Sequence, residues 1–302
     1  FDLPIIDTNS TKTISAPLKS RRLAMAKLLK KKCLSLDAVQ AKRNLVIRKK
    51  YKIDEYYHIE SKLGSGTYSK VYLATRKADG KQVAIKESWG NNKRDYLEKE
   101  YDILKTLDNP TVPAVLDFKT NDRKNVSYLI LEYFKGDTID SYIEKHGVLG
   151  CEETTKIIKK LADVLACLHK QGVAHRDIKP QNVLINEAQE IKLIDFNISK
   201  KQRDSNDAKF SKRFLTQISS PLFAAPELKS SCYYTESVDI WGVGIILSTL
   251  ILGNNIQKFG SNLSESTSLG DTKNDEIKLL LSLTLSINSE ERPTAQELVS
   301  ML

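Results

Sequence analysis

Apolar positions along this chain fall into two rhythms. Around residues 64–73, Gly64 and Gly66 are flanked by aromatic and β-branched residues (Tyr68, Val71, Tyr72, Leu73), a pattern that predicts strand–turn–strand. Residues 83–86 continue with the alternating apolar frame of a strand. The rhythm then changes. Residues 95–107 place Tyr96, Leu97, Tyr101, Ile103, Leu104 and Leu107 close to one face of a helix. The longest apolar run, 241–253, is about 13 residues, too short to span a bilayer, and predicts a buried helix. At the front, residues 20–34 read as a basic amphipathic helix. A second helical pattern starts at Ser35, a good N-cap, and runs through Leu36, Val39 and Ile47. A polar stretch, 260–274, interrupts the later helical region.

Charge separates the front from the rest. Residues 1–55 hold 14 Lys+Arg against 5 Asp+Glu, and the remainder holds 33 of each, so the whole net charge of +9 sits in the N-terminal extension. Three roles fit such an extension. It can pack on the body as a structural element. It can bind an acidic partner, a membrane surface, a regulator or a nucleic acid. It can serve as a calmodulin-like target or import signal. No aromatic interleaving supports specific nucleic-acid readout. The 302 residues suffice to bury a sizeable core. Cys33, Cys151, Cys167 and Cys232 show neither CxxC nor metal-site spacing, the expectation being reduced thiols in the cytoplasm or nucleus. No signal peptide or internal repeat is evident, and a start at Phe1 suggests a piece of a longer chain.

The chemistry is concentrated in two short segments. Residues 175–182 read His-Arg-Asp-Ile-Lys-Pro-Gln-Asn, and Asp195-Phe196-Asn197 follows 13 residues later. The Asp177 carboxylate, Lys179 two residues on and Asn182 five residues on can face one phosphate-handling site from a single tight loop. Asp195, on the next strand end, would complete a Mg²⁺ site.

Together with Gly64-Ser65-Gly66 and Val83-Ala84-Ile85-Lys86, these segments resemble the eukaryotic-type protein kinases, with the pieces in family order. The resemblance implies an α+β, bilobal fold: a small β-sheet lobe with one helix at 56–134, and a larger, mostly helical lobe at 135–302, behind the 1–55 extension. It implies ATP and Mg²⁺ as cofactors and a serine or threonine hydroxyl of a protein substrate as acceptor. Asp177 would orient that hydroxyl and accept its proton, Lys179 would stabilise the transferring phosphoryl, and Asn182 and Asp195 would hold metal. Lys86 would anchor the α- and β-phosphates and pair with a glutamate on the next helix. Glu100 fits the family spacing ahead of Ile103-Leu104, whereas Glu98 would point elsewhere. The short stretch after Lys86 suggests a helix missing a turn at its start.

For the nucleotide, residues 127–134 resemble the strand entering the hinge. The backbones of Glu132 and Phe134 would meet the adenine edge. Leu63, Val71, Ala84 and Leu184 would sandwich the ring, and Leu131 would guard the pocket behind it. Gly64, Ser65 and Gly66 would cover the phosphates; Ser69 stands where the family has a third glycine. Ala225-Pro226-Glu227, residues 237–244 and Arg292-Pro293-Thr294 resemble the large-lobe signatures. They imply an Arg292–Glu227 pair and an Asp239 cap on the catalytic loop. The compressed gap between Asp239 and Arg292 implies a reduced substrate-side helix. Asn197 replaces the glycine that usually ends the metal loop. Ser220 stands where a hydroxyl touches Asp177 and Lys179. Thr216 is the expected phosphosite, with Arg176 as its cationic partner. The alternatives are a nucleotide-binding pseudokinase scaffold and a small-molecule phosphotransferase.

Overall fold

The computed structural model describes residues 51–66, 69–121, 124–196, 199–201, 223–230, 235–253 and 274–302. The helical patterns of the basic extension, the polar stretch 260–273, Cys33, Tyr68, Asn197, Thr216, Ser220 and Cys232 lie outside them.

Five antiparallel strands form the first layer: β1 (Tyr57–Ser65), β2 (Lys70–Arg76), β3 (Gln82–Trp89), β4 (Val115–Asn121) and β5 (Val126–Glu132), in the order β1-β2-β3-β5-β4. Strand periodicity assigns the faces. On β3, Val83 and Ile85 are fully buried and cluster with Ala74, Tyr128 and Ile130 on one side. Ala84 and Lys86 project to the other. A one-turn helix, α1 (Ile53–Tyr56), lies against the first side. Tyr51 and Ile53 pack on that cluster, the Tyr51 and Tyr56 rings stack at 5.2 Å, and Asn121 Nδ2 donates to the Tyr51 carbonyl at 2.7 Å.

Helix α2 (Asn91–Leu104) follows Gly90, whose φ of +91° only glycine adopts freely. It starts four residues ahead of the apolar segment 95–107. Residues 91–95 are Asn, Asn, Lys, Arg and Asp, which leave no apolar rhythm to read. The helix ends at Leu104, with Leu107 in the following turn.

The second part is built from β6 (Asp137–Thr138), α3 (Ile139–His146), α4 (Cys151–Lys170), β7 (Val173–Ala174), a 3₁₀ turn (Pro180–Asn182), β8 (Val183–Ile185), β9 (Ile191–Leu193) and β10 (Lys200–Lys201). Then come α5 (Glu227–Ser230), α6 (Ser237–Leu252), α7 (Asp275–Thr284) and α8 (Ala295–Met301). β6, β8 and β9 form one small sheet, and β7 pairs with β10. Helix α4 buries Ile157, Ile158, Leu161, Leu165 and Leu168 along one stripe. Helix α6 is buried all round, with every residue from 238 to 250 enclosed, so it is the axis of the core. Each large aliphatic side chain buried there contributes about 1.5–3 kcal/mol before entropy is counted.

A short edge joins the two parts. Leu193 N donates to Thr111 O at 2.7 Å. Lys192 Nζ reaches Val112 O at 3.4 Å and Glu132 Oε2 at 2.8 Å, and that carboxylate also accepts from Ala114 N at 3.2 Å.

Candidate active site

Lys86 is the hub of the first cluster. Its ammonium donates to both oxygens of Glu100, at 2.8 and 2.6 Å, and to Asp195 Oδ1 at 2.8 Å. Lys86 is 6% exposed and Glu100 1%, so each charge would be costly without the other. Glu98 is exposed on the same helix. Burial lowers the Lys86 pKa, but the two carboxylates outweigh it and hold the ammonium protonated above its usual range. Burial pushes the Asp195 carboxyl up, and Lys86 pulls it below the ordinary value. In Glu100, burial raises the carboxyl further than Lys86 pulls it back. One cation from β3 thus serves two anions, from α2 and the loop after β9, and Phe196 N adds a bond to Glu100 Oε1 at 3.3 Å.

The second cluster sits on the loop between β7 and β8. Asp177 Oδ2 accepts from Lys179 Nζ at 2.7 Å and from Asn182 Nδ2 at 2.8 Å. Asn182 Nδ2 also reaches Asp177 O at 2.8 Å, and Pro180, at the head of the 3₁₀ turn, tightens the return. Ile194 N donates to Asn182 O at 2.9 Å, which ties this loop to the strand end carrying Asp195.

Behind the loop stands Asp239, the fully buried carboxylate of the first turn of α6. It accepts from Arg176 N at 2.6 Å, from His175 N at 2.8 Å and from His169 Nε2 at 2.9 Å. Burial pushes its carboxyl up, and the His169 hydrogen bond and neighbouring histidines hold it below the usual carboxylate value. His175 is itself fully buried, and burial lowers the pKa of its imidazole below the ordinary value. Its Nε2 lies 3.1 Å from Ile194 O, an acceptor, while Nδ1 accepts from Asp177 N at 3.3 Å, so the hydrogen-bond network assigns the proton to Nε2. The ring meets Phe196 edge-on at 4.7 Å. Arg176 and Asp195, with φ of +74° and +70°, occupy the left-handed region that costs non-glycine residues energy. Of the four described non-glycine residues with positive φ, these two lie in the chemically dense loops.

Arg292 grips Glu227 with two parallel bonds of 2.7 and 2.9 Å and also donates to Ser286 O and Ser237 O. This pair pins α5 to the start of α6.

The expected nucleotide residues come from the five-stranded sheet, the link after β5 and strand β8. Leu63, Gly64 and Ser65 end β1, and Gly66 N closes the turn on Ser69 O at 2.9 Å. Val71 is paired with Gly64 and with Lys86, and Ala84 with Leu131. Glu132 ends β5, Phe134 follows in the link to β6, and Leu184 lies on β8. Leu63 is exposed and Leu184 half-buried. Strand β5 stops two residues short of Phe134.

Asn182 and Asp195 both carry hard oxygen donors. With Nδ2 turned to Asp177, the Asn182 amide keeps its oxygen as an acceptor for a cation. Among the described residues no group of three or more His, Cys, Asp or Glu forms a closed cage. Two oxygen donors are what Mg²⁺ takes from a protein when phosphates and water supply the rest, so this pair fits it.

Spacing in the sequence carries no signal for several contacts found here: Lys86 with Asp195, Lys192 with Glu132, and His169 with Asp239. No described helix is long and apolar enough to cross a membrane.

A family model described as protein kinase domain matches residues 57–302. A maternal embryonic leucine zipper kinase of Xenopus tropicalis is 33% identical over 204 residues, covering 66% of this chain and 30% of its own length. A probable serine/threonine-protein kinase MARK-C of Dictyostelium discoideum is 32% identical over 204 residues, covering 66% of this chain and 26% of its own length. The NUAK family SNF1-like kinase 1 of Homo sapiens is 30% identical over 266 residues, covering 83% of this chain and 39% of its own length. The chain therefore spans well under half the length of these relatives.

Proposed function

Because this chain belongs to the protein kinase domain family, we propose that it is a serine/threonine protein kinase, transferring the γ-phosphoryl of Mg·ATP to protein hydroxyls. The observation that carries this reading is the Asp177 carboxylate held between Lys179 and Asn182, on a loop bonded to the strand end that carries Asp195. Asp177 orients the acceptor hydroxyl and takes its proton. A small cavity lined by Arg176, Asp177, Lys179, Phe223 and Leu228 lies beside that carboxylate, where the acceptor hydroxyl would approach. Lys179, beside Asp177, stabilises charge on the phosphoryl in flight. Lys86, oriented by Glu100, holds the α- and β-phosphates. Leu63, Gly64, Ser65, Gly66, Val71, Ala84, Glu132, Phe134 and Leu184 surround the nucleotide. Mg²⁺ bound by Asn182 and Asp195 would neutralise charge on the phosphates.

The serine/threonine choice rests on Lys179 two residues after Asp177, and the name of the Dictyostelium relative agrees with it. We place the lobes at 56–134 and 135–302, and the 1–55 extension as a region that recruits an acidic partner, membrane surface or regulator. Phosphate on Thr216, met by Arg176, would regulate the site. The cytoplasm or nucleus is the compartment that fits the free thiols Cys151 and Cys167. Phosphorylation of a degenerate peptide array by the purified chain tests the reading. Label should enter serine and threonine peptides and vanish with Asp177→Asn; equal labelling by that variant overturns it.

A further inference from the structure

Two glycines stand in α6, although glycine is the poorest helix former after proline, and both are fully buried. They face different neighbours. A Cβ built on Gly242 would fall inside contact distance of the Ile178 carbonyl oxygen, 2.5 Å from Ile178 Cβ and 2.8 Å from its Cγ2. A Cβ on Gly244 would instead meet Leu285 and Thr284, at the end of α7, at 2.6–2.7 Å. Ile178 lies between Asp177 and Lys179, and its branched side chain is 6% exposed.

Gly242 is three residues from Asp239, so the two positions share one face of α6. Asp239 draws the loop in through the His175 and Arg176 amides. Gly242 leaves the room that the loop then occupies. Helix α6 is enclosed along nearly its whole length, so it has nowhere to retreat. The backbone oxygen of Ile178 is not a flexible tip that could swing aside. A methyl group at 242 therefore moves the loop and not the helix.

We propose that Gly242 is a positioning residue for phosphotransfer: its missing side chain sets how deeply Ile178 seats on α6, and so where Asp177 and Lys179 stand. This rests on the phosphotransfer reading of the site. Gly242 touches no substrate and acts through Ile178. The atoms nearest a Cβ at 242 all belong to Ile178, and none to Lys86, Glu100 or Asp195 on the nucleotide side.

The test compares Gly242→Ala with Gly244→Ala. Both overpack the same helix, but only the first presses on the loop. A displacement of about 1 Å at reacting groups costs on the order of a hundredfold in rate, so Gly242→Ala should lower kcat by about that factor, with ATP affinity within about twofold. Amide hydrogen exchange in residues 175–182 should quicken. Gly244→Ala should lower thermal stability to a similar degree, keep kcat within about threefold and leave that exchange slow. Parent-like turnover and loop protection in Gly242→Ala, or equal losses in both variants, would overturn the proposal. A parent that transfers no phosphate would defeat the kinase reading instead; hydrogen exchange would still decide whether Gly242 seats the loop.

Discussion

Asp177 and Asp195 stand on neighbouring loops, yet their supports differ in kind. The Asp177 loop is held from behind by backbone amides bonded to Asp239, on a helix enclosed from Val238 to Leu250. Its local partners, Lys179 and Asn182, come from the same loop. Asp195 is held from in front by Lys86, a side chain of the small sheet, and its own side chain is 33% exposed. The first support is part of the core and is present whatever occupies the cleft. The second is an ion pair between the sheet and the loop after β9, and in the proposed reaction phosphates arriving at Lys86 would compete with Asp195 for the same ammonium. The difference separates a fixed half of the site, to which the proposed function gives proton handling, from an exchangeable half, to which it gives nucleotide binding.

The largest effect should come from the fixed half. Asp177→Asn should reduce turnover by about 10³-fold or more while ATP affinity stays within about twofold, measured by steady-state kinetics beside nucleotide titration. A parallel loss of ATP affinity would erase the division between the halves. Next, Asp239→Asn should cost about 3–5 kcal/mol of stability in urea unfolding, because it withdraws a buried charge from two amides and His169. The Asp239 carboxyl lies below its ordinary value, so its contribution is fully present above about pH 4 and is lost as pH falls further. In that acid window the stability curve of Asp239→Asn should be flatter than the parent's.

The exchangeable half should respond through nucleotide use. Glu100→Gln leaves Lys86 with Asp195 alone, and kcat/KM for ATP should fall by about a hundredfold with a smaller change in unfolding midpoint. Glu98→Gln, on the exposed side of α2, should stay within about twofold. If the two glutamates exchanged these outcomes, the helix would act through a different face in solution. Smallest of all, deletion of residues 1–50 should leave peptide phosphorylation within about threefold, since Tyr51 onward supplies the packing on the sheet. A larger loss would place the extension in the catalytic unit.

Much of this arrangement was legible because local motifs carry long-range information. The register of Glu100 ahead of Ile103-Leu104, the Arg292–Glu227 pair and the Asp239 cap all follow from short signatures in family order. Contacts made by burial were not. Lys86 and Asp195 are 109 positions apart, and although each is expected at the site, nothing in the sequence pairs one with the other. Lys192 belongs to no such signature, and only the fold brings it to Val112 and Glu132. The start of α2 was hidden because its first turn is wholly polar, so a glycine with positive φ marks the boundary and hydrophobic rhythm does not. Gly242 read as one small residue in an apolar run. Its meaning depends on which atom of Ile178 stands opposite, and periodicity says nothing about that.

The short edge where Leu193 meets Thr111 and Lys192 meets Val112 and Glu132 has a mechanical consequence. A book bound along one margin opens by turning about its spine. Here the spine is that row of bonds, the β1–β2 tip at Gly64 and Gly66 is the free page corner, and arc length grows with distance from the binding. Paired spin labels should therefore report a broad spread of separations when one sits at the page corner and a narrow one beside Glu132; equal spreads would mean the binding is elsewhere.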